Sequence, residues 1–154
     1  FRELRGFQGW VDAVAFDATG RRIAADGPMD GGRSHIIRVF DLQTGDVKSF
    51  DPGDGKDIVS VAFLPDGGLL VSSFGGLRRL DVETGSFELL LAQPGMAFLG
   101  PDGRHLLLRR SQNEQEPVGT ASVYDLRERR GWPLSPASIS TMSLLSRGLG
   151  IAAP

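Results

Sequence analysis

The stretch Val59-Ser60-Val61-Ala62-Phe63-Leu64-Pro65-Asp66-Gly67-Gly68-Leu69-Leu70-Val71-Ser72-Ser73-Phe74-Gly75-Gly76-Leu77-Arg78-Arg79-Leu80 decides the fold, together with the Asp81-Val82-Glu83-Thr84-Gly85 that follows it. It holds three apolar runs, separated by Pro-Asp-Gly and Gly-Gly and closed by Thr-Gly. Short β-rich runs between Gly/Asp turns predict antiparallel strands joined by hairpins. Val61-Ala62-Phe63 and Leu69-Leu70-Val71 are apolar at successive positions, as expected of strands covered on both faces. Asp46-Val47-Lys48-Ser49-Phe50 alternates instead, as a strand with one face in solvent does.

The pattern returns. Val11–Ala25, Ile58–Val71, Gly95–Leu108 and, in degenerate form, Ile139–Ala152 align as one element, whose turn glycines Gly20, Gly67, Gly103 and Gly148 lie 47, 36 and 45 residues apart. A second signature follows the first three: Val39-Phe40-Asp41-Leu42-Gln43-Thr44-Gly45, Arg79-Leu80-Asp81-Val82-Glu83-Thr84-Gly85 and Val123-Tyr124-Asp125-Leu126-Arg127. Its aspartates are 40 and 44 residues apart. A period of about 40–45 residues with four strands per unit is that of a propeller blade.

On these two signatures the chain resembles the WD-repeat β-propeller family over nearly its whole length. The Val-x-x-Val-Ala-Phe-x-x-x-Gly element is similar to that family's innermost blade strand. Phe40-Asp41, Leu80-Asp81 and Tyr124-Asp125 stand where its Trp-Asp dipeptide would be, and Leu4-Arg5-Gly6-Phe7 resembles a blade end running into its Gly-His. The resemblance implies an all-β fold, a β-propeller of four-stranded antiparallel blades. None of the three dipeptides has Trp, and neither later linker has Gly-His, so the family's buried hydrogen-bond network is incomplete here. Apolar packing is expected to hold the blades instead.

The expected map is residues 1–6 as the outer strand of a preceding blade, then blades at 11–51, 58–91 and 96–134, with 139–154 supplying the inner strands of a further one. A closed ring takes at least about four blades. An incomplete ring leaves blade faces and strand edges uncovered, an aggregation hazard. The missing strands are therefore expected from a longer chain, which a start on Phe1 without Met suggests, or from a second copy.

Composition narrows the function classes. The 154 residues suffice for one domain with a core, and 21 glycines suit a turn-dense β fold. Fifteen arginines against two lysines reads as coding bias. The formal net charge of −2 gives no electrostatic reason for nucleic acid as a partner. Cysteine is absent, which excludes disulfides and thiolate chemistry. Without a signal peptide or an apolar run of about 18–20 residues, a cytoplasmic location without membrane partners is expected.

Two long connections carry the expected site. Asp26–Ser34 and Ser111–Thr120 both join the second and third strands of a blade, and the resemblance places such loops on the partner-binding face of the disc. Long loops on a rigid scaffold are the usual place for function. Met29, Asp30, Arg33, Asn113, Glu114 and Glu116 are the expected partner contacts, a solvated insertion being the plainer reading. Asp51-Pro52-Gly53-Asp54-Gly55-Lys56-Asp57 fits neither a calcium loop nor a phosphate-binding loop and reads as a linker. His35 and His105, the two histidines, have no short-spaced partner for a metal and suit surface or capping roles. No Gly-x-Ser-x-Gly elbow appears. Catalytic residues, metal ligands and cofactors are accordingly assigned to none. Arg127-Glu128-Arg129-Arg130 and Arg109-Arg110 read as solvated rim, and Trp10 and Trp132 as residues of connecting segments.

The expected function is a non-enzymatic scaffold that holds a protein or peptide partner. The main alternative is the non-catalytic propeller of a larger enzyme or signalling protein. A third is a ligand-binding or hydrolytic propeller using the central channel. It would be marked by convergent carboxylates and histidines, for which inner-strand starts offer Asp12, Asp57 and Ser60.

Overall fold

A computed structural model describes residues 3–29, 34–92, 95–110 and 121–134. Twelve strands run through them: β1 (Val14–Phe16), β2 (Arg22–Met29), β3 (Ser34–Asp41), β4 (Val47–Phe50), β5 (Ile58–Phe63), β6 (Leu69–Ser73), β7 (Gly76–Leu80), β8 (Phe87–Leu91), β9 (Gly95–Leu99), β10 (His105–Arg110), β11 (Ala121–Asp125) and β12 (Arg130–Leu134). They form three four-stranded antiparallel sheets, β1-β2-β3-β4, β5-β6-β7-β8 and β9-β10-β11-β12. Each sheet is one propeller blade, and the described blades form an arc that does not close.

Aspartates hold the turns between first and second and between third and fourth strands. Between first and second strands, Asp17 Oδ1 accepts the Arg21 and Arg22 N–H groups, and Asp102 Oδ1 those of Arg104 and His105. Between third and fourth strands, Asp41 Oδ1 accepts from Gln43 and Thr44, Asp81 Oδ1 from Glu83 and Thr84, and Asp125 Oδ1 from Arg127 and Glu128. The recurring aspartate is thus a turn cap, a local use of its short carboxylate. Arg21 pairs with Asp41, and Arg104 with Asp125, tying the two turns of a blade together.

The middle blade explains the unbroken apolar runs. On β6, Leu69 and Val71 join the core shared with the first blade, and Leu70 joins the core shared with the third. All five β6 residues are buried. Ile37, Val39, Phe63 and Leu80 fill the first core; Leu77, Ala97, Leu106 and Tyr124 fill the second. Serines stitch blade two to the inner strand of blade three: Ser60 Oγ donates to the Ala97 carbonyl at 2.9 Å, and Ser72 Oγ to that of Gly95.

The outward faces of the arc differ from the middle. Phe98, Leu107, Val123 and Trp132 stand opposite one another across all four strands of blade three. Phe98, Leu107 and Trp132 remain 47%, 37% and 38% exposed. On blade one, Val14 and Phe16 are exposed, while Phe7 covers Phe40 edge-on at 6.4 Å between centroids.

Several expectations need correction. Asp26 to Met29 are not loop. They extend β2 and pair with Ser34 to Ile37. Pro28 is tolerated there because β1 pairs no further than Ala25, so no neighbour on that side needs its missing N–H. Trp132 lies within β12 rather than in a connecting segment. Within residues 1–6, the described part from Glu3 onward is not strand; an outer strand needs the rest of its own blade to pair with.

Candidate functional site

The two connections expected to bind partners spring from paired strand ends. Met29 stands opposite Ser34, and Arg109 opposite Ala121. Asp30, Arg33, Asn113, Glu114 and Glu116 lie outside the described residues, and of Met29 only the backbone pairing is described.

Beside the first connection the fold gathers four ionisable groups that are distant in sequence. Asp26, on β2, is fully buried. Its Oδ1 accepts the Ala13 N–H at 2.6 Å, and its Oδ2 lies 3.3 Å from His35 Nδ1 on β3. His35 Nε2 lies 3.4 Å from Asp57 Oδ1, in the linker entering blade two. Asp12 completes the group: ligand atoms of Asp12, Asp26 and His35 lie within 4.8 Å of one another. Burial raises the Asp26 pKa above its ordinary value, opposed by the hydrogen bonds from His35 and the Ala13 N–H.

Chemically this is a clamp. His35 bridges carboxylates of two blades, and the buried Asp26 ties β2 to the residue preceding β1. Asp12, Asp26 and His35 are also the three side chains that would hold a small cation here, which would have to displace the imidazole from Asp26. Sequence reading singled out Asp12, Asp57 and His35 separately but missed Asp26. The missed signal is the repeat itself, which sets Asp26 level with Ser72, inside a strand.

At the corresponding junction of blade two, Asp54 pairs with Arg78 on β7, and its Oδ2 lies 3.4 Å from Ser73 Oγ. The Gly-rich acidic linker thus anchors its own blade. His105 opens β10, paired with Asp102 of the preceding turn and 3.5 Å from Asp125 through Nε2.

No protein-family model matches the chain, and no curated protein does. Solved structures do. TolB from Acinetobacter baumannii superposes with a TM-score of 0.67 at 23% identity, over 86% of this chain and 33% of that one. The Cps50 (Swd1) β-propeller domain of Myceliophteria thermophila gives 0.65 at 14%, over 88% and 45%. A puromycin hydrolase gives 0.62 at 18%, over 82% and 22%. The chain spans about a third of the TolB structure, and the likeness is one of fold: a propeller-type repeat.

Proposed function

We propose that this chain is part of a WD-repeat-like propeller acting as a non-enzymatic interaction scaffold, with a protein or peptide partner held at Met29, Asp30, Arg33, Asn113, Glu114 and Glu116. The observation that carries this reading is the anchoring of the first connection. Its roots are the β2–β3 ladder, held from beneath by the buried Asp26–His35 pair. A loop on so rigid a base loses less ordering entropy on binding.

The same arc serves equally as the non-catalytic propeller of a larger enzyme or signalling protein, the remaining blades coming from a longer chain or a second copy. Cytoplasmic location stays part of this proposal.

The test is affinity capture with the immobilised chain, read by mass spectrometry, against one variant with Ala at all six positions. The reading predicts a reproducible set of proteins that the variant loses while its circular dichroism is unchanged. Capture indifferent to the six substitutions would refute it.

A further inference from the structure

The two junctions between blades are copies of one arrangement, and they differ in charge. At the first, Lys48 on β4 reaches Glu83 in the β7–β8 turn at 2.7 Å and donates to the Val82 carbonyl at 3.3 Å. Val82 beneath is buried. At the second, Glu88 is the counterpart of Lys48, since Val47 and Phe87 stand opposite Phe40 and Leu80. The turn Asp125-Leu126-Arg127 is the counterpart of Asp81-Val82-Glu83. The charges are therefore inverted, Glu88 for Lys48 and Arg127 for Glu83.

Yet Glu88 pairs with Arg129 rather than Arg127. Arg129 has φ +52°, the one non-glycine residue with positive φ among those described. Its counterparts in the other blades are Gly45 and Gly85, at +86° and +77°. A left-handed arginine where two blades use glycine is a strained choice, and strain of this kind marks functional positions. Its effect is to draw Glu88 away. Arg127 is exposed, and among the described residues its side chain has no hydrogen bond or ion pair.

The result is a cavity. Where the first junction's space is split in two, about 240 Å³ beside Arg22 and Glu83 and about 140 Å³ beside Lys48 and Glu83, the second holds a single groove of about 370 Å³. Its floor is apolar: Leu64, Pro65, Leu90 and Leu126. Arg79, Arg104, Arg127 and Arg129 line it against two carboxylates, Asp66 and Glu88. Three of the arginines already have partners, in Asp66, Asp125 with Glu128, and Glu88. Arg127 alone is available to an incoming charge.

We propose that this groove docks an acidic peptide, one carboxylate pairing with Arg127 while a neighbouring leucine or phenylalanine side chain fills the apolar floor. The volume lies within the range of ligand clefts, about 300–1,000 Å³. The apolar floor and the rim carboxylates disfavour a phosphate backbone, which needs a continuous basic track. The site is built from turns at the opposite ends of the strands from the Met29 and Asn113 connections, so it is a second contact surface and does not depend on them.

The experiment is fluorescence polarisation on the full 154-residue chain, with a fluorescein-labelled Asp-Glu-Leu-Phe-Glu-Asp peptide. Three comparison probes are a lysine-for-acid version, a serine-for-Leu-Phe version and a labelled single-stranded oligonucleotide. The proposal expects saturable binding of the first peptide alone, weakened by raised salt. Arg127→Glu should weaken it roughly tenfold, through a lost attraction and a new repulsion, while Arg127→Lys retains most of it. Arg127 has no partner to lose, so an unchanged melting curve confirms that each variant is folded. Ala at Met29, Asp30 and Arg33 should leave this binding intact even if it abolishes capture of other proteins. No binding by folded protein, binding indifferent to Arg127→Glu, or equal binding of the oligonucleotide would each overturn the proposal.

Discussion

The charged residues of this chain act in opposite directions with pH. The Arg21 guanidinium, then the Thr44 N–H, hold Asp41 down to about 2. A carboxylate held below its ordinary 3.8 contributes stability that is present above that value and lost as pH falls toward about 2. Asp26 has the other sign. Burial raises it, so in the interval above 3.8 the folded chain binds more protons than the unfolded one, and stability falls as pH rises. Thermal melts across the acid range should therefore flatten below pH 4 in Asp41→Asn. In Asp26→Asn the decline toward neutral pH should be reduced, since the amide oxygen still accepts from Ala13. Asp26→Ala is a different change: it orphans the buried Ala13 N–H and should cost about 1–3 kcal/mol in a denaturant melt. These roles follow from strand register, which is why Asp26 and Arg127 were not legible as site residues, while Asp41, Asp81 and Asp125 were legible only as a repeated signature.

At the scale of strands, blade two is the keystone because both its faces are buried. Leu70→Ala opens a cavity between blades two and three and should cost about 2–5 kcal/mol. Leu107→Ala, on the uncovered face of blade three, should cost no more than about 0.5 kcal/mol in the isolated chain. Equal losses at the two positions would mean that something covers the blade three face. The β6–β7 turn offers a sharper test. Gly76 has φ +126°, and a Cβ there would lie 2.4 Å from the Leu91 carbonyl oxygen on β8. Gly76→Ala combines backbone strain with a clash against an immobile atom, and a loss of more than about 1 kcal/mol is expected. The Gly-Gly pair announced this turn in the sequence, but the approach of Leu91 belongs to the assembled sheet.

For the whole molecule, the row Phe98, Leu107 and Trp132 at one end and Val14 and Phe16 at the other are exposed apolar surface of the kind that favours association. The two faces are different surfaces, so joining them between copies is head-to-tail association. Light scattering on the isolated chain should give a mass above the monomer, and Phe98→Lys with Leu107→Lys should bring it down. A monomeric wild-type chain that stays folded would show these faces to be tolerated in water.

By itself the sequence determined the strands, the turns and the blade repeat, down to the aspartate that caps each third turn. Those features depend on neighbours a few residues apart: apolar runs, glycines at left-handed positions, carboxylates two or three residues from the N–H groups they accept. The tertiary structure alone decided which side chains meet across blades. It carried β2 on to Met29, set Asp26 beneath His35 and Asp57, and left the Arg127 side chain, among the described residues, without a partner above an apolar floor. Each of those depends on the register of strands and the facing of sheets. A shift of one residue reverses which face a side chain takes, and local sequence does not encode the shift.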